Sequence, residues 1–339
     1  MAFETGQHRR SRNPQEQRVE GIVPPPLPLD RIPVTMPSGD GTKYRTPSQS
    51  PFPVFVLCQP LFVDNKIKNN AWMKAMSPKD MEIDIERFMG EWYNLVKLLS
   101  GASLVYLIPP KKGLQDQTYV NCFAYLPHIK NKDVCIISNF TGEGRAGESP
   151  AVKAFLDSLG YTTVNSPHKF EGEPELKYLR DNIYFGGYGF RTDPKAYIWL
   201  EETYGCKIIK IKEVDEHLYH LDCSLFVLDP QNVICCVEAF DPAVVKQIEK
   251  VATIHPVTKV DCHENACNNI RVGDMLLSSS SLQYLTKHDS DYKKEWHKNE
   301  RLQEICGKLG IEILFTEMKE AAKSGAAMSC FVGHLNYRY

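Results

Sequence analysis

From residue 53 onward the chain alternates short apolar runs with breaks at Gly, Pro and Asn. VFVLCQP (54–60), SLVYLIPP (103–110), QTYVNCFAYLP (117–127), VCIISNF (134–140) and NIYFGGYGF (182–190) are rich in β-branched and aromatic residues. So are CKIIKIKEV (206–214), SLFVLD (224–229), NVICCVEAF (232–240), RVGDMLLSSS (271–280) and EILFTEM (312–318). Such runs predict strands. Between several of them the period lengthens. Over 80–101, Ile83, Phe88, Trp92, Leu95, Leu98 and Leu99 share one helical face, with Gly101 as a stop. The stretches 149–160, 241–252 and 294–310 behave likewise, the first running from a Ser cap to a Gly stop. A recurring strand–strand–helix–strand texture excludes all-α and all-β classes.

Residues 1–50 have a different texture. They are rich in Pro, Arg, Ser and Gln, including PPPLPLDRIP at 24–33. Such a segment buries too little apolar surface to offset its ordering entropy, so an extended or disordered arm is expected, polyproline-like around Pro24–Pro28. Docking of that arm to an SH3-type partner is the functional reading; a solvated tail is the plainer one. The first residues lack the apolar stretch of a secretory signal. No apolar run is long enough for a membrane helix. A cytoplasmic protein is the default expectation.

Lys plus Arg number 40 and Asp plus Glu 42, a net charge of -2. This balance argues against bulk attraction to nucleic acid or an anionic membrane. The 11 cysteines are scattered, unlike a disulfide framework, and fit free thiols in a reducing compartment. Most should pack as small hydrophobes. Whether one carries chemistry is the open question.

Three stretches stand out. In KSGAAMSCFVG (323–333), Cys330 follows a run of small residues that lets a ligand approach the backbone. The alternative is a core cysteine opening a last strand. In LYHLDCSLFVLD (218–229), His220 and Asp222 would share one face if the stretch were extended. They are either a base with a cation clamp or a satisfied pair at a strand end. In HKFEGEPELKYLRDNIYFGGYGFRTD (168–193), Glu171 is either an orienting acid or a solvated loop carboxylate. Arg191 is either a carboxylate clamp or a surface ion pair of little worth.

In this order, the stretches resemble the guanidine-modifying superfamily, which includes arginine deiminases, arginine dihydrolases, dimethylarginine dimethylaminohydrolases and amidinotransferases. The matching motifs are Glu171-Gly172, Gly187 to Thr192, His220-Leu221-Asp222 and Gly325 to Cys330. NNAWM (69–73), GRAGE (144–148), Asp116 to Asn121 and ACNNIRVGDMLL (266–277) add weaker matches. Together they cover about residues 54–335. The acid motif departs from the family pattern, reading EGEPE, with Pro174 and Glu175 where Gly-Asp is usual.

The resemblance implies a five-bladed α/β propeller of ββαβ-type units (a pentein propeller) over residues 51–339, with a central site. It implies Cys330 as nucleophile, His220 as proton carrier and Glu171 as its orienting acid. Asp222 and Asp116 would grip the guanidinium, with Asn121 beside them, and Arg191 would hold a substrate carboxylate. The implied activity is hydrolysis of a guanidino group through an amidino-thioether. Amidino transfer to an amine and a silent binding propeller are the alternatives. No organic cofactor is expected. No metal is expected either, because Cys262, His263 and Cys267 lack a second ligand cluster. The expected partner is a small guanidino compound; a homo-oligomer stays open.

Overall fold

Most of the apolar runs become strands, and those lying between two blades are apolar on both faces for a reason the structure makes plain. A computed structural model describes residues 46–338 except 121, 130, 131 and 143. The proposed arm at 1–45 and the candidate Asn121 therefore lie outside the described residues. Residues 46–50, counted with the arm in the sequence reading, are packed. Thr46 and Ser48 hydroxyls donate to the Asp133 carboxylate, each at 2.6 Å.

In chain order, β1 (Val54–Cys58), α1 (Ala71–Ala75), α2 (Ile85–Ser100) and β2 (Leu104–Ile108) come first. β3 (Phe123–Ile129), β4 (Lys132–Ile137), α3 (Glu148–Ser158) and β5 (Thr162–Asn165) follow. Then come β6 (Leu176–Arg180), β7 (Ile183–Tyr188), α4 (Pro194–Tyr204) and β8 (Lys207–Lys212). Next are β9 (Leu225–Asp229), β10 (Asn232–Cys235), α5 (Pro242–Glu249) and β11 (Thr253–Pro256). After α6 (Lys259–His263) come β12 (Ile270–Val272), β13 (Met275–Ser279), α7 (Ser290–Leu309) and β14 (Glu312–Thr316). Short α8 (Lys319–Ala322) and β15 (Gly333–His334) end the described elements.

These strands form five three-stranded sheets, each with one antiparallel and one parallel pairing. The parallel pairing needs a crossover, and a helix supplies it every time. The helix starts are marked locally. Asp193 and Asp241 cap α4 and α5 through their side chains, with Pro194 and Pro242 at the first helical position.

Apolar clusters join each sheet to the next. Val54, Val56 and Cys58 of β1 pack toward β3 and β4, while Phe55 and Leu57 pack toward β12 and β13. Leu225 and Val227 of β9 face β6 and β7; Phe226 and Leu228 face β13. The fifth cluster joins β3 and β4 to β6 and β7. Five clusters linking five sheets in a cycle describe a closed five-bladed α/β propeller. A strand between two blades buries both faces, so its sequence reads as an unbroken apolar run.

The first blade is built from both ends of this region: β15 pairs antiparallel with β1, Phe55 opposite His334 and Val56 opposite Gly333. Three expectations are corrected. The 117–127 run is strand only from Phe123, because Asp116 to Tyr119 turn back, the Tyr119 amide donating to the Asp116 carbonyl at 3.0 Å. The 271–280 run is a hairpin, β12 and β13 meeting across Gly273-Asp274. His220-Leu221-Asp222 is not extended; Leu221–Cys223 form a 3-10 turn.

Candidate active site

One regularity positions the chemistry. The segment entering each blade's antiparallel strand delivers a candidate residue: Asp116 before β3, Glu171 before β6, His220 and Asp222 before β9, and Cys330 before β15. The fifth segment, before β12, delivers Asn268, which the sequence reading did not single out. The entering strands touch one another between blades (β15 with β3, β6 with β9), so these segments converge.

Glu171 follows Phe170, which bridges to Asn139. That bridge sets the carboxylate beside the turn after β4. Its Oε1 accepts from the Thr141 amide at 2.9 Å and the Gly142 amide at 2.8 Å. Its Oε2 contacts His220 Nε2 at 2.9 Å and accepts from Arg191 Nη1 at 3.0 Å. Burial alone would raise this carboxyl, but His220, Arg191 and Arg145 hold it far below the ordinary range. His220 is lowered from its ordinary value as well. Burial lowers it and outweighs the pull of Glu171, so a neutral ring is favoured at rest.

Cys330 sits in a 3-10 turn, Met328–Phe331, and keeps partial exposure. Burial and the nearby Asp222 push its thiol up to about 12. The Asn268 amide, 3.9 Å from the sulfur, and a backbone hydrogen bond donated by Ala327 act against that rise. Asn268 also accepts from the Ser329 amide at 2.8 Å, so it fixes the turn that carries the nucleophile candidate.

Two cavities meet at Cys330, His220 and Tyr219. One is lined further by Asp116, Arg145, Arg191, Asn69, Asn70 and Ser324. The other contains Asp222, Asn268, Cys223, Trp72, His217 and His263. The two carboxylates expected to grip a cation therefore flank the thiol from different sides. Asp116 is buried, bonded by Gln115 and Asn69, and raised by burial. Asp222 is buried and accepts from the Ser329 hydroxyl at 2.7 Å.

Arg191 lines the first cavity, but much of its fork is engaged. Beyond Glu171, it donates through Nη2 to the Asn69 carbonyl and lies 4.7 Å over the Tyr219 ring. Arg145, from the GRAGE stretch, is also buried in that wall and forks onto Glu148 at 2.8 and 3.1 Å. Asn70 caps α1 and donates to the Ser324 carbonyl at 2.9 Å, tying NNAWM to the nucleophile loop. That loop turns at Gly325, φ +67, where a Cβ would lie 2.6 Å from Asn70 Oδ1. Tyr219 donates to the Gly325 carbonyl at 3.0 Å. Nothing in the sequence pattern marked Tyr219. Asn69, Asn70, Arg145 and Asn268 lay in recognised motifs but carried no assigned role.

Cys262 and Cys267 are buried, sulfurs 3.8 Å apart. His263 turns instead to Asp215, at 3.2 Å, so the Cys-His run does not converge.

Five ββαβ-type blades surround a converged set of Cys330, His220 and Glu171. Among solved structures, the N-terminal domain of ArgZ, a cyanobacterial arginine dihydrolase, superposes with a TM-score of 0.72 at 23% identity. The match covers 84% of this chain and 98% of that one. The dimethylarginine dimethylaminohydrolase of Pseudomonas aeruginosa gives 0.63 at 15% identity, over 84% and 99%. In sequence, the N(G),N(G)-dimethylarginine dimethylaminohydrolase of Mycobacterium tuberculosis is 31% identical over 196 residues, 57% of this chain and 62% of that protein. The bifunctional arginine dihydrolase/ornithine cyclodeaminase AgrE of Nostoc is 26% identical over 282 residues, 81% of this chain and 37% of that protein. The chain thus spans less than two thirds of these curated relatives. No family model matches. In sequence the chain is similar to a dimethylarginine dimethylaminohydrolase and to an arginine dihydrolase, and in fold to solved structures of both kinds.

Proposed function

We propose that this protein is a cysteine-dependent hydrolase of the guanidino group of arginine or a related compound. The observation that carries this reading is a thiol with a buried carboxylate on either side, facing an imidazole held by a third. A guanidinium is a planar cation that forks onto carboxylates. Bound between Asp116 and Asp222, it would offset the negative surroundings that hold the Cys330 thiol protonated.

His220 then accepts the thiol proton, and Glu171 stabilises the imidazolium. The sulfur attacks the guanidinium carbon, forming a C–S bond. His220 returns the proton to the departing nitrogen as the C–N bond breaks, releasing ammonia or an amine. Water next adds to the amidino-thioether carbon, losing a proton to His220. The C–S bond breaks, the thiol is restored, and a ureido product leaves. The sum is guanidinium plus water giving a ureido compound plus ammonium. Arg191 serves chiefly to anchor Glu171; a substrate carboxylate would share its Nη2 with the Asn69 carbonyl.

The relatives named for dimethylarginine and for arginine hydrolysis bracket the substrate class. The test is incubation with arginine, methylarginines and agmatine, reading ammonia, methylamines and ureido products. Product from wild type and none from Cys330→Ser is expected. Full turnover by that variant would remove Cys330 as nucleophile, and product only with an added amine acceptor would make the enzyme a transferase.

Regarding setting, among the described residues no helix is long and apolar enough to cross a membrane. We retain residues 51–339 as the catalytic unit and the Pro-rich segment as a separate arm.

A further inference from the structure

The acid loop departs from its family pattern at EGEPE, and each of its carboxylates goes to a different place. Glu171 holds the His220 ring at 2.9 Å. Two residues on, after a turn at Gly172 with φ +75, Glu173 reaches the C-terminal segment. Its Oε2 accepts from the His334 backbone amide at 3.0 Å, and its Oε1 lies 2.5 Å from His334 Nδ1. Burial would raise the Glu173 carboxyl, but His334 holds it below the ordinary range. The same loop takes two consecutive amides of the His220–Asp222 turn. Asp222 N donates to the Pro174 carbonyl at 3.0 Å, and Leu221 N to Glu175 Oε2 at 3.3 Å.

His334 stands four residues after Cys330 and is itself wedged. Its ring meets Phe55 edge-on at 5.0 Å and stacks on Tyr337 at 5.3 Å. Between the two lies Gly333, where a Cβ would sit 2.6 Å from the Phe123 ring. A displacement of His334 therefore has little slack in which to be absorbed before it reaches Cys330.

We propose that Glu173 is a positioning residue for the nucleophile: its clasp on His334 registers the Cys330 turn against the His220 that the same loop holds through Glu171. The role in turnover rests on the hydrolase reading; the geometric claim does not. A loop that grips base and nucleophile separately sets their separation by its own five residues. Small misplacement of reacting groups is costly, about 10²-fold for roughly 1 Å.

The test compares Glu173→Ala with Asn336→Ala. Asn336 also fastens the closing segment, accepting from the Val54 amide at 2.9 Å, but makes no bond to the acid loop. Alkylation of Cys330 by iodoacetamide is followed against pH by peptide mass spectrometry, with thermal melts alongside. The pH midpoint should move upward in Glu173→Ala, because the displaced sulfur leaves the Asn268 amide that acts against its rise, and stay in place in Asn336→Ala at similar melting loss. With an active substrate, kcat should fall about 10²-fold in Glu173→Ala while KM changes less than about threefold. If Glu173→Ala does not fold, Glu173→Gln keeps an acceptor for the His334 amide and should show a smaller shift in the same direction. An unmoved midpoint, or equal movement in Asn336→Ala, overturns the proposal. Absence of turnover in wild type would sink the hydrolase reading alone, since the alkylation midpoint is read without substrate.

Discussion

Glu171 and Glu175 lie four residues apart in one loop, both sealed from water, and their acidities diverge. Glu171 is held far below the ordinary carboxylate range, while Glu175 is pushed well above it. Burial raises both. The difference is company. Glu171 meets Arg191, His220 and two backbone amides. Glu175 meets Glu213, itself raised by burial and by Glu175, and one amide from Leu221. Their crowding is visible at Gly187, where a Cβ would lie 2.5 Å from Glu175 Oε2 and 2.6 Å from Glu213 Oε1. Two carboxylates at such range share a proton rather than ionise together. Charge at depth is therefore decided by the partners supplied, and this loop carries one acid built to stay charged and one built to stay largely neutral.

The contrast breaks most readily at Glu171. Replacing it with Gln should lower kcat by about 10³- to 10⁴-fold, since the imidazolium loses its counter-charge. Replacing Glu175 with Gln should change kcat less than about threefold, because an uncharged acceptor for Leu221 N remains. Steady-state kinetics of the two variants decide it; equal losses would erase the distinction. Next in size, Arg191→Met strips Glu171 of its arginine. A loss of about 1.5–3 kcal/mol is expected in urea unfolding at neutral pH, the cost of one charged hydrogen bond to a carboxylate that His220 and two amides still hold.

A smaller effect of opposite sign belongs to the other acid. A raised carboxyl gives stability that is present below its unfolded value and lost as pH rises through its folded one. Wild-type stability should thus decline from weakly acidic toward mildly alkaline pH on account of Glu175 and Glu213. Glu213→Gln should flatten that decline, measured by urea melts at about pH 5 and about pH 8.5. Glu171, being depressed, contributes above its unfolded value, and that contribution is lost only in strong acid. The smallest effect is at the surface. The Lys153–Asp157 pair, 2.8 Å apart on α3, should cost about 0.5 kcal/mol or less when Asp157 becomes Asn, because water screens it.

Much of this arrangement was legible along the chain. Unbroken apolar runs such as VFVLC and LFVLD announced strands buried on both faces. The family resemblance carried by the acid, HxD and cysteine motifs implied one site for Glu171, His220 and Cys330, and the three do converge, Glu171 on His220 and His220 with Cys330 on one cavity. What the pattern hid was set by partners in other blades. The pattern leaves open whether His220 and Asp222 share an extended face, and the answer lies in the Leu221 and Asp222 amides, which are taken by Glu175 and Pro174 as the chain turns. Arg191 looked like a substrate clamp, yet its nearest acid is Glu171, 20 residues back in a neighbouring segment. The four-residue strands β5 and β11 are too short to show a period. Glu175 registered only as a departure from a motif and Glu173 not at all, because their value depends on amides contributed from 46 and 161 residues away respectively.

The closure of the first blade has a consequence for how the protein is made. Residues 54–58 leave the ribosome long before residues 333–334 that pair with them. Until then β1 presents an open apolar edge, a surface prone to mispairing. The same late segment brings Cys330. Nascent chains therefore carry an incomplete ring without the proposed nucleophile, and Cys330 arrives in the same step that seals the fold.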